Sequence, residues 1–388
     1  MIRRLFAFAA LALSSCATLE PAAPTLPSHA TIDAEAARAM AESGAQGMAI
    51  AVIEDGQVVY VHAYGHRNAA GDPLQTNTIM YGASLTKAVF AYMVMQLVDE
   101  GVINLDTTID HYLPRPLPNY TEPWVEDLYA RWSDLAGDER WRRLTPRMLL
   151  THSSGFANFG FLEPDGRLRI HFEPGSQYSY SGDGFILLQF VLERGLGINV
   201  GQEMQRRLFD RFGMSNSSMM WRADFANNLA DGWALDGSTQ AHDERSAVRA
   251  AGSLDTTITD FAQFVAAYAR GDGLSRRARA DLTHPWLPIT VATQFPVLQP
   301  ELPLNQRRPD LAAGLGVLSF NGPQGHGFMR GGHNEVTGNS WVCVERLRRC
   351  VVILSNDVRI EPQFPRIVAS ILGETGAPWH FVYGTPGD

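Results

Sequence analysis

At 388 residues, the chain is long enough to bury a large core and exceeds the usual size of one compact domain. Its composition, with 45% hydrophobic and 19% charged residues, is that of an ordinary folded protein. The formal net charge is -9 and both signs are interspersed, so the chain lacks the basic stripe that nucleic-acid binding requires.

The N-terminus has the pattern of an export signal and is excluded from the fold. A basic start precedes an apolar run over 5–13 that is too short to span a bilayer as a helix. Leu13-Ser14-Ser15-Cys16 then resembles the bacterial lipoprotein signal. We therefore predict a signal peptide over 1–15, lipidation of Cys16 and a tether over 16–30. This predicts a secreted protein held by lipid alone on the periplasmic side of a bacterial membrane; a plain secretory signal is the alternative.

Next along the chain come patterns typical of a helix, a hairpin and a second helix. Thr31–Ser43 is predicted as a helix after a Thr cap. Two β-rich runs, Gly47–Glu54 and Val58–Tyr64, flank Asp55-Gly56 and predict a hairpin. The segment Ser84–Glu100 is apolar nearly all round, which predicts a buried helix.

From about residue 102 to 300 the patterns are mainly helical and are joined by Gly- and Pro-rich loops. The helix-length segments are Pro146–Thr151, Gly184–Arg194, Gly201–Phe212 and Thr259–Gly271. An aromatic-rich excursion, Asn119–Arg143, is predicted to use its Trp and Tyr side chains for packing rather than for a substrate cleft. Strand patterns return in Gly314–Asn321, Gly338–Val344 and Cys350–Ser355, and Glu361–Leu372 is predicted as the last helix.

Strands at both ends with helices between them predict an α/β (α+β) fold. One antiparallel sheet is expected from 31–101 and 310–375, flanked by N- and C-terminal helices, with an all-helical insert over 102–309. The whole domain is predicted to span 31–375, followed by a C-terminal tail over 376–388. An active site is expected at the seam between the two parts.

Apart from Cys16, the cysteines are Cys343 and Cys350. A hairpin centred between Arg346 and Leu347 places these two residues opposite each other, at a separation that a disulfide can bridge. A disulfide in an oxidising compartment and two free buried thiols both fit this pattern. No CxxC spacing occurs, so no metal site is predicted.

Ser84 and Lys87 form a Ser-x-x-Lys motif at the start of the predicted buried helix. Positions i and i+3 share one helix face, so the amine can reach the hydroxyl. Apolar surroundings lower the pKa of a lysine, which then accepts the serine proton. The free N–H groups at a helix start also suit a developing oxyanion.

Several segments in order resemble the serine β-lactamase and D,D-peptidase superfamily, in its class C β-lactamase-like branch, which also holds carboxylesterases and D-amino-acid peptidases. The similarity covers roughly residues 31 to 375 and includes the fold predicted above. The matching segments are Tyr81-Gly82-Ala83-Ser84-Leu85-Thr86-Lys87, Leu144-Thr145-Pro146-Arg147-Met148-Leu149-Leu150-Thr151-His152-Ser153-Ser154-Gly155, Pro174-Gly175, Tyr180-Ser181-Gly182, Phe212-Gly213-Met214, Ala251-Gly252-Ser253-Leu254 and Leu354-Ser355-Asn356.

The resemblance implies that Tyr180 is the catalytic tyrosine that moves protons with Lys87. Tyr178 is the rival position, but the spacing from Pro174 favours Tyr180. Gly182 stands where the family has an Asn that binds a substrate amide, which weakens the expectation of β-lactam or peptide substrates.

The family also has a Lys-Thr-Gly or His-x-Gly triplet on a strand beside the site. Its best match is Arg330-Gly331-Gly332, and the backbone N–H of His333 is then implied to complete the oxyanion hole with Ser84. An Arg at position 330 retains a charge that can bind a carboxylate. An alternative register uses His333 as the first residue of the triplet.

These observations predict a serine hydrolase that cleaves small-molecule ester or amide bonds, or peptides, through an acyl-enzyme on Ser84 without a cofactor. Carboxylesterase activity is the main hypothesis; a D,D-peptidase, a D-amino-acid peptidase, a β-lactamase and a non-catalytic peptidoglycan-binding module are the alternatives. His152 is interpreted as structural, because adjacent residues such as His152 and Ser153 rarely face each other for proton transfer. No G-x-S-x-G or H-E-x-x-H motif occurs.

Overall fold

An eight-stranded antiparallel sheet carries both ends of the described chain. The computed structural model describes residues 24–384. The predicted signal peptide over 1–15, Cys16 and most of the predicted tether over 16–30 lie outside these residues. The strands are β1 Gly47–Glu54, β2 Gln57–Gly65, β3 Met80–Tyr81, β4 Gly232–Trp233, β5 Thr239–Gln240, β6 Asp255–Thr256, β7 Leu287–Pro288, β8 Ala312–Ala313, β9 Leu318–Gly322, β10 Gly325–His333, β11 Gly338–Val344 and β12 Arg349–Ser355.

Within the described residues, ten α-helices surround this sheet or form the region between its two halves, together with short 3₁₀ and π turns. They are α1 His29–Ser43, α2 Leu85–Asp99, α3 Pro123–Leu128, α4 Pro146–Leu150, α5 Gly182–Phe190, α6 Val200–Met204, α7 Ile258–Arg270, α8 Arg276–Thr283, α9 Phe364–Leu372 and α10 Trp379–Tyr383. Two π turns, Val191–Gly195 and Gln205–Phe209, continue α5 and α6.

The strand order is β2-β1-β12-β11-β10-β9-β8-β7, so the N-terminal hairpin pairs directly with the last strand. Met48 lies opposite Ser355 and Ile53 lies opposite Cys350 in the β1–β12 pair. All eight residues of β1 except Glu54 are buried, as expected of a central strand covered on both faces. The predicted union of N- and C-terminal strands in one sheet is confirmed.

Alternate residues of β1 enter two different cores. Met48, Ile50 and Val52 join the core that α1 and α9 cover, whereas Ala49 and Ala51 face the core that contains α2 and α7. The thirteen residues from Leu85 to Leu97 of α2 are all buried. The all-round apolar pattern of this helix therefore reflects its position between the sheet and the helical region.

Most of the predicted elements are present, with boundaries shifted by a few residues. The first helix begins at His29 and its cap is Ser28 rather than Thr31, because the Ser28 hydroxyl accepts the Thr31 N–H. The predicted strand Gly314–Asn321 is wrong in its first half. Gly316 has a φ of 75° and its N–H donates to the Leu150 carbonyl, so the chain turns there onto α2 and the strand begins only at Leu318.

Three further features differ from the sequence predictions. The residue patterns did not predict strand β10, which borders the site described below; only the family resemblance implied a strand around Arg330-Gly331-Gly332. The predicted helix Glu361–Leu372 is a 3₁₀ turn over Val358–Gln363 followed by α9. The predicted tail over 376–388 is wrong for its described part, because α10 packs beside α9, with the ring centroids of Phe364 and Tyr383 5.3 Å apart.

Among residues 24–384, no single helix has both the length and the apolar character needed to cross a membrane. One bent pair, Gly182–Gly195 with Val200–Phe209, passes that test by length and composition only.

Candidate active site

Ser84 stands where the chain turns sharply from β3 into α2. Ala83 just before it has a φ of 47°, a left-handed conformation that is costly for a residue with a Cβ. One helical turn further, Lys87 is only 1% exposed. Its Nζ donates to Ser84 Oγ at 3.0 Å and to the Ala251 carbonyl at 2.5 Å. The expected approach of the amine to the hydroxyl is present.

Tyr180 lies on the other side of Ser84, just before α5. Its hydroxyl is 2.7 Å from Ser84 Oγ. Tyr178 instead points away from the nucleophile, and its hydroxyl lies 3.4 Å from Gln294 Oε1. The structure therefore places Tyr180, and not its rival two residues earlier, within reach of the serine proton.

Arg330 occupies a different position from the one the sequence suggested. It is 2% exposed, and its Nε donates to the Ser84 carbonyl at 3.1 Å while Nη2 donates to the Tyr180 hydroxyl at 2.9 Å. The expectation that this guanidinium faces a substrate carboxylate is wrong, because the side chain lies behind Tyr180 and does not line the cavity. Arg330 acts on Tyr180 instead.

Burial and charge bring the pKa values of Lys87 and Tyr180 towards neutrality. Burial is the main cause that lowers the pKa of Lys87 to about 8. Burial alone raises the pKa of Tyr180, but the charges of Arg330 and Lys87, with hydrogen bonds from Lys87 and Ser84, outweigh it and lower that pKa to about 7. Each group therefore shifts the pKa of the other, and both lie within hydrogen-bond distance of Ser84 Oγ.

His152 supports Tyr180 from behind. Its ring stacks on the Tyr180 ring with centroids 4.5 Å apart, and its Nδ1 accepts the Ser181 N–H at 3.0 Å. Burial, and then the charges of Arg330 and Lys87, hold the pKa of His152 well below its usual value. The imidazole is therefore neutral, in agreement with its interpretation as a structural histidine.

Strand β10 passes very close to the start of α2. A Cβ on Gly332 would lie 2.5 Å from the Gly82 carbonyl oxygen and 2.8 Å from the Leu85 nitrogen. A Cβ on Gly331 would lie 2.6 Å from the Tyr383 hydroxyl. Both glycines are thus required by close packing, which brings the end of β10, at His333, beside Ser84. This approach favours the register that begins at Arg330.

The His333 side chain lines the cavity, and one of its ring nitrogens is paired with the Glu361 carboxylate. Its Nδ1 lies 3.2 Å from Glu361 Oε1. Burial alone lowers the pKa of His333, but the hydrogen bond and charge of Glu361 outweigh burial and raise it. Glu361 therefore favours the protonated form of the ring that borders the cavity near the predicted oxyanion position.

Gly182 does not line the cavity. Its N–H donates to the carbonyl of Asn158 at 2.8 Å and to Asn158 Oδ1 at 3.0 Å. A Cβ at Gly182 would lie 2.3 Å from the ring of Phe159, so that ring covers the space that a larger residue would need. The side-chain amide that the cavity does contain near this position belongs to Asn158.

A cavity of about 710 Å³ opens over Ser84. Its apolar wall consists of Phe159, Phe161, Leu162, Phe295, Val382 and Tyr383, and its polar wall includes Asn158, Arg249, Gln294, His333 and Glu335. Sequence reasoning found none of Asn158, Phe159 or α10. Asn158 and Phe159 directly follow the Leu149–Gly155 motif, and this adjacency was the available signal. In the Asn119–Arg143 segment, the predicted packing role is seen for the buried Tyr120, Tyr129, Trp132 and Trp141, whereas Trp124 is exposed.

On this fold, Ser84 Oγ lies between Lys87 and Tyr180, an arrangement that suits a serine nucleophile. A family model described as Beta-lactamase matches residues 32–369, so the chain belongs to the β-lactamase family.

Curated relatives span several named activities. The chain is 28% identical over 203 residues to the lovastatin esterase of Penicillium rubens, covering 45% of this chain and 49% of that protein. It is 25% identical over 289 residues to the D-alanyl-D-alanine-carboxypeptidase/endopeptidase AmpH of Escherichia coli K12, covering 72% and 73%. The chain thus spans about half the length of the first of these relatives.

Among solved structures, the penicillin-binding protein homologue from Pyrococcus abyssi superposes with a TM-score of 0.69. The identity is 20%, and the superposition covers 88% of this chain and 76% of that one. This likeness identifies the fold that the sequence predicted, an antiparallel sheet with a helical region.

Proposed function

We propose that this serine hydrolase cleaves carboxylic esters through an acyl-enzyme on Ser84. The observation that carries the proposal is the pair of contacts made by Ser84 Oγ, with Lys87 Nζ at 3.0 Å and the Tyr180 hydroxyl at 2.7 Å. A hydroxyl held between an amine and a phenol that both titrate near neutrality is an activated nucleophile.

In the first half-reaction, Ser84 Oγ bonds to the ester carbonyl carbon while its proton passes to Tyr180 or Lys87. The carbonyl oxygen becomes an oxyanion, which the N–H groups of Ser84 and His333 stabilise. The bond to the alcohol oxygen then breaks, and that oxygen takes the proton that the pair has held. The alcohol departs and leaves an ester on Ser84.

In the second half-reaction, water attacks the acyl carbon and gives its proton to the same pair. The bond between Ser84 Oγ and the acyl carbon breaks, Oγ regains a proton, and the carboxylic acid leaves. Arg330 contributes throughout by stabilising the Tyr180 phenolate at 2.9 Å.

Two features support esters as the first substrate class. The cavity wall is largely aromatic and aliphatic, and Arg330 is not available to bind a substrate carboxylate. An ester also needs less help than an amide, because its alcohol leaves more readily than an amine. The likeness to a protein named lovastatin esterase agrees with this class.

A peptidase acting on D-alanyl peptides is the second candidate, and Asn158 favours it. Asn158 Oδ1 accepts the Gly182 N–H, which orients the amide and leaves its Nδ2 for a ligand. The likeness to AmpH supports this candidate as well. If peptides are substrates, Asn158→Ala lowers their turnover more than that of esters.

The test is a comparison of kcat/KM for nitrophenyl butyrate, nitrocefin and a D-Ala-D-Ala peptide. We expect the butyrate ester to be turned over much faster than nitrocefin, and Ser84→Ala to abolish turnover while Ser246→Ala, an exposed serine outside the cavity, does not. An equal or higher value for nitrocefin places β-lactamase activity first. Failure of a fluorophosphonate to label Ser84 supports the binding-module alternative.

We also propose that the protein is exported and anchored by lipid at Cys16, on the periplasmic side of a bacterial membrane. The support is the sequence of residues 1–16 and the disulfide between Cys343 and Cys350, a bond that persists in oxidising compartments. Wild type is expected to incorporate labelled palmitate and Cys16→Ser is not. Secretion without label in either protein indicates a plain signal peptide.

A further inference from the structure

Two bulky apolar side chains lie exposed next to each other at the mouth of the Ser84 cavity. Phe161 is 73% exposed and Leu162 is 62% exposed, and both line the cavity. Phe295 on the opposite wall is also exposed. We name Phe159, Phe161, Leu162 and Phe295 the apolar rim. Adjacent exposed apolar residues around a cavity are typical of a binding surface.

The apolar rim is continuous from solvent to the reacting groups. The rings of Phe161 and Phe159 stack with centroids 5.1 Å apart and planes 14° apart. The Phe159 ring in turn covers Gly182, two residues from Tyr180. Across the cavity, the ring of Phe295 lies 5.1 Å from that of Tyr180. Apolar surface therefore leads inward along both walls towards Ser84.

The loop that carries Phe161 is held in place by hydrogen bonds. The Gly160 N–H donates to Asp183 Oδ2 at 2.6 Å, and the Leu162 N–H donates to the Phe159 carbonyl at 3.0 Å. A few residues later, Leu168 is buried in the core. Because the same tied segment buries one apolar side chain and exposes two others at the cavity, the exposure is a defined feature of the loop.

Two charged groups of the cavity wall are paired with other residues, whereas Glu335 in the same wall is exposed to solvent. Arg249 donates to the Asp127 carbonyl at 2.8 Å, and His333 is paired with Glu361. The surface between Phe161 and Phe295 therefore offers an uncharged group many dispersion contacts and few ionic ones.

We propose that the apolar rim binds the hydrocarbon part of the ester substrate, so that esters with an extended alkyl or aryl group are preferred over acetates. This inference rests on the proposed function and names its substrate class. The hydrocarbon belongs to either the acyl or the alcohol side of the ester, and the experiment below distinguishes the two.

The experiment measures kcat/KM for nitrophenyl acetate, butyrate and octanoate at monomeric substrate concentrations. Full burial of one methylene is worth about fourfold in binding. For partial burial in wild type we expect a rise of at least about tenfold from acetate to octanoate. A second series holds the acyl group as acetyl and lengthens the alcohol; a rise in this series alone assigns the rim to the alcohol side.

The test variant is Phe161→Ser combined with Leu162→Ser. Both side chains are exposed, so the fold is expected to survive, and circular dichroism checks this. The readout is the ratio of kcat/KM for octanoate to kcat/KM for acetate, because a loss of activity that affects both substrates equally cancels in this ratio. We expect this ratio to fall below about threefold in the double variant. The control Leu304→Ser, at an 82% exposed residue outside the cavity, keeps the wild-type ratio.

The outcomes separate this inference from the proposed function. No turnover of any ester contradicts the proposed function itself. Two outcomes overturn the rim proposal alone. In the first, nitrophenyl acetate is turned over but kcat/KM does not depend on chain length in either series. In the second, kcat/KM does depend on chain length and the double variant retains that dependence. Binding to phosphatidylglycerol vesicles is measured in a Cys16→Ser background. If the double variant loses this binding while its ratio of octanoate to acetate kcat/KM stays unchanged, the rim proposal is also overturned and the rim is identified as a membrane contact.

Discussion

Tyr178 and Tyr180 are two residues apart in one buried segment, yet their pKa values move in opposite directions. Burial raises the pKa of Tyr178, because a phenolate there would lose its hydration. At Tyr180 the same penalty is outweighed by Arg330 and Lys87. The two hydroxyls have different neighbours: that of Tyr178 lies near Gln294, whereas that of Tyr180 lies against Ser84 and feels the charge of Lys87 as well.

The first prediction concerns this pair of tyrosines. Tyr180→Phe removes the hydroxyl beside Ser84 Oγ, and we expect it to reduce kcat by about a hundredfold or more, the usual worth of a positioned proton transfer. Tyr178→Phe is the matched control and is expected to change kcat by only a few-fold. Single-turnover kinetics with nitrophenyl butyrate measure both effects. A larger loss in Tyr178→Phe than in Tyr180→Phe contradicts the assignment.

The second prediction concerns pH. Since the pKa of Tyr180 is lowered to about 7 and that of Lys87 to about 8, kcat/KM is expected to rise with pH through about 7 and to fall above about 8. Arg330→Met removes a charge that lowers the pKa of Tyr180, so the rising limb moves to higher pH. Arg330→Lys keeps the charge and shifts the limb less. A limb that does not move in Arg330→Met shows that another group titrates there.

The candidate site was only partly predictable from sequence, for a physical reason. Ser84 and Lys87 lie one helical turn apart, so local spacing alone predicts their contact. Arg330 lies on a strand 246 residues further along the chain from Ser84. The sequence shows that its side chain is charged but does not show which way the side chain points. The role of Gly182 depends on the ring of Phe159, a tertiary contact that no local pattern indicates.

At the scale of elements, the first turn of α5 holds the loop that borders the cavity. Asp183 in that turn is buried and accepts the Gly160 N–H at 2.6 Å. Burial is the main cause that raises the pKa of Asp183 to about 7, and the hydrogen bond from Gly160 opposes it. The folded protein therefore retains a proton on this carboxyl that the unfolded chain releases near pH 4.

The third prediction follows from this carboxyl. Because its folded pKa lies above its unfolded pKa, its contribution to stability is full below about pH 4 and declines as pH rises to about 7. Asp183→Asn keeps an acceptor for Gly160 but does not titrate. We expect the stability of the variant relative to wild type to increase by at least about 1 kcal/mol between pH 5 and pH 8. Urea unfolding at both pH values measures this, and a constant difference contradicts it.

Strand β10 is an element whose local sequence does not predict its secondary structure. Its sequence contains four glycines, at positions 325, 327, 331 and 332, and this composition disfavours a strand. Close packing nevertheless requires two of these glycines, because a Cβ at Gly327 would meet the Phe320 ring at 2.5 Å and a Cβ at Gly332 would meet the start of α2. Packing against other elements therefore overrides strand propensity here.

At the scale of the molecule, the sheet joins the first and last strands of the fold. This arrangement was predictable, because strand patterns lie at the two ends of the sequence and helical patterns lie between them. Few folds bury the apolar faces of both the strands and the helices in that order. Helix α10 was not predictable, since its five residues are too few to be stable alone. It is held instead by tertiary contacts such as the Tyr383 hydroxyl to the Asn339 carbonyl at 2.7 Å.

The last prediction concerns the covalent link within that sheet. Cys343 and Cys350 lie opposite each other in the β11–β12 pair, as the hairpin register predicted, with Cα atoms 4.1 Å apart. Of the two alternatives that this register left open, the structure has the disulfide. The closed loop is short, so the chain-entropy relation gives a contribution of about 2 kcal/mol to the free energy of unfolding. Neither cysteine lines the Ser84 cavity, so catalysis is expected to be unaffected.

The measurement is urea unfolding of wild type and of the double variant Cys343→Ala with Cys350→Ala, each with and without dithiothreitol. Reductant is expected to lower the midpoint of wild type towards that of the double variant and to leave the double variant unchanged. Nitrophenyl butyrate turnover at 25 °C serves as the control for the site and stays constant across the four samples. If dithiothreitol does not move the wild-type midpoint, and mass spectrometry of unreduced protein finds two free thiols, the cysteines act only as small buried side chains in the core.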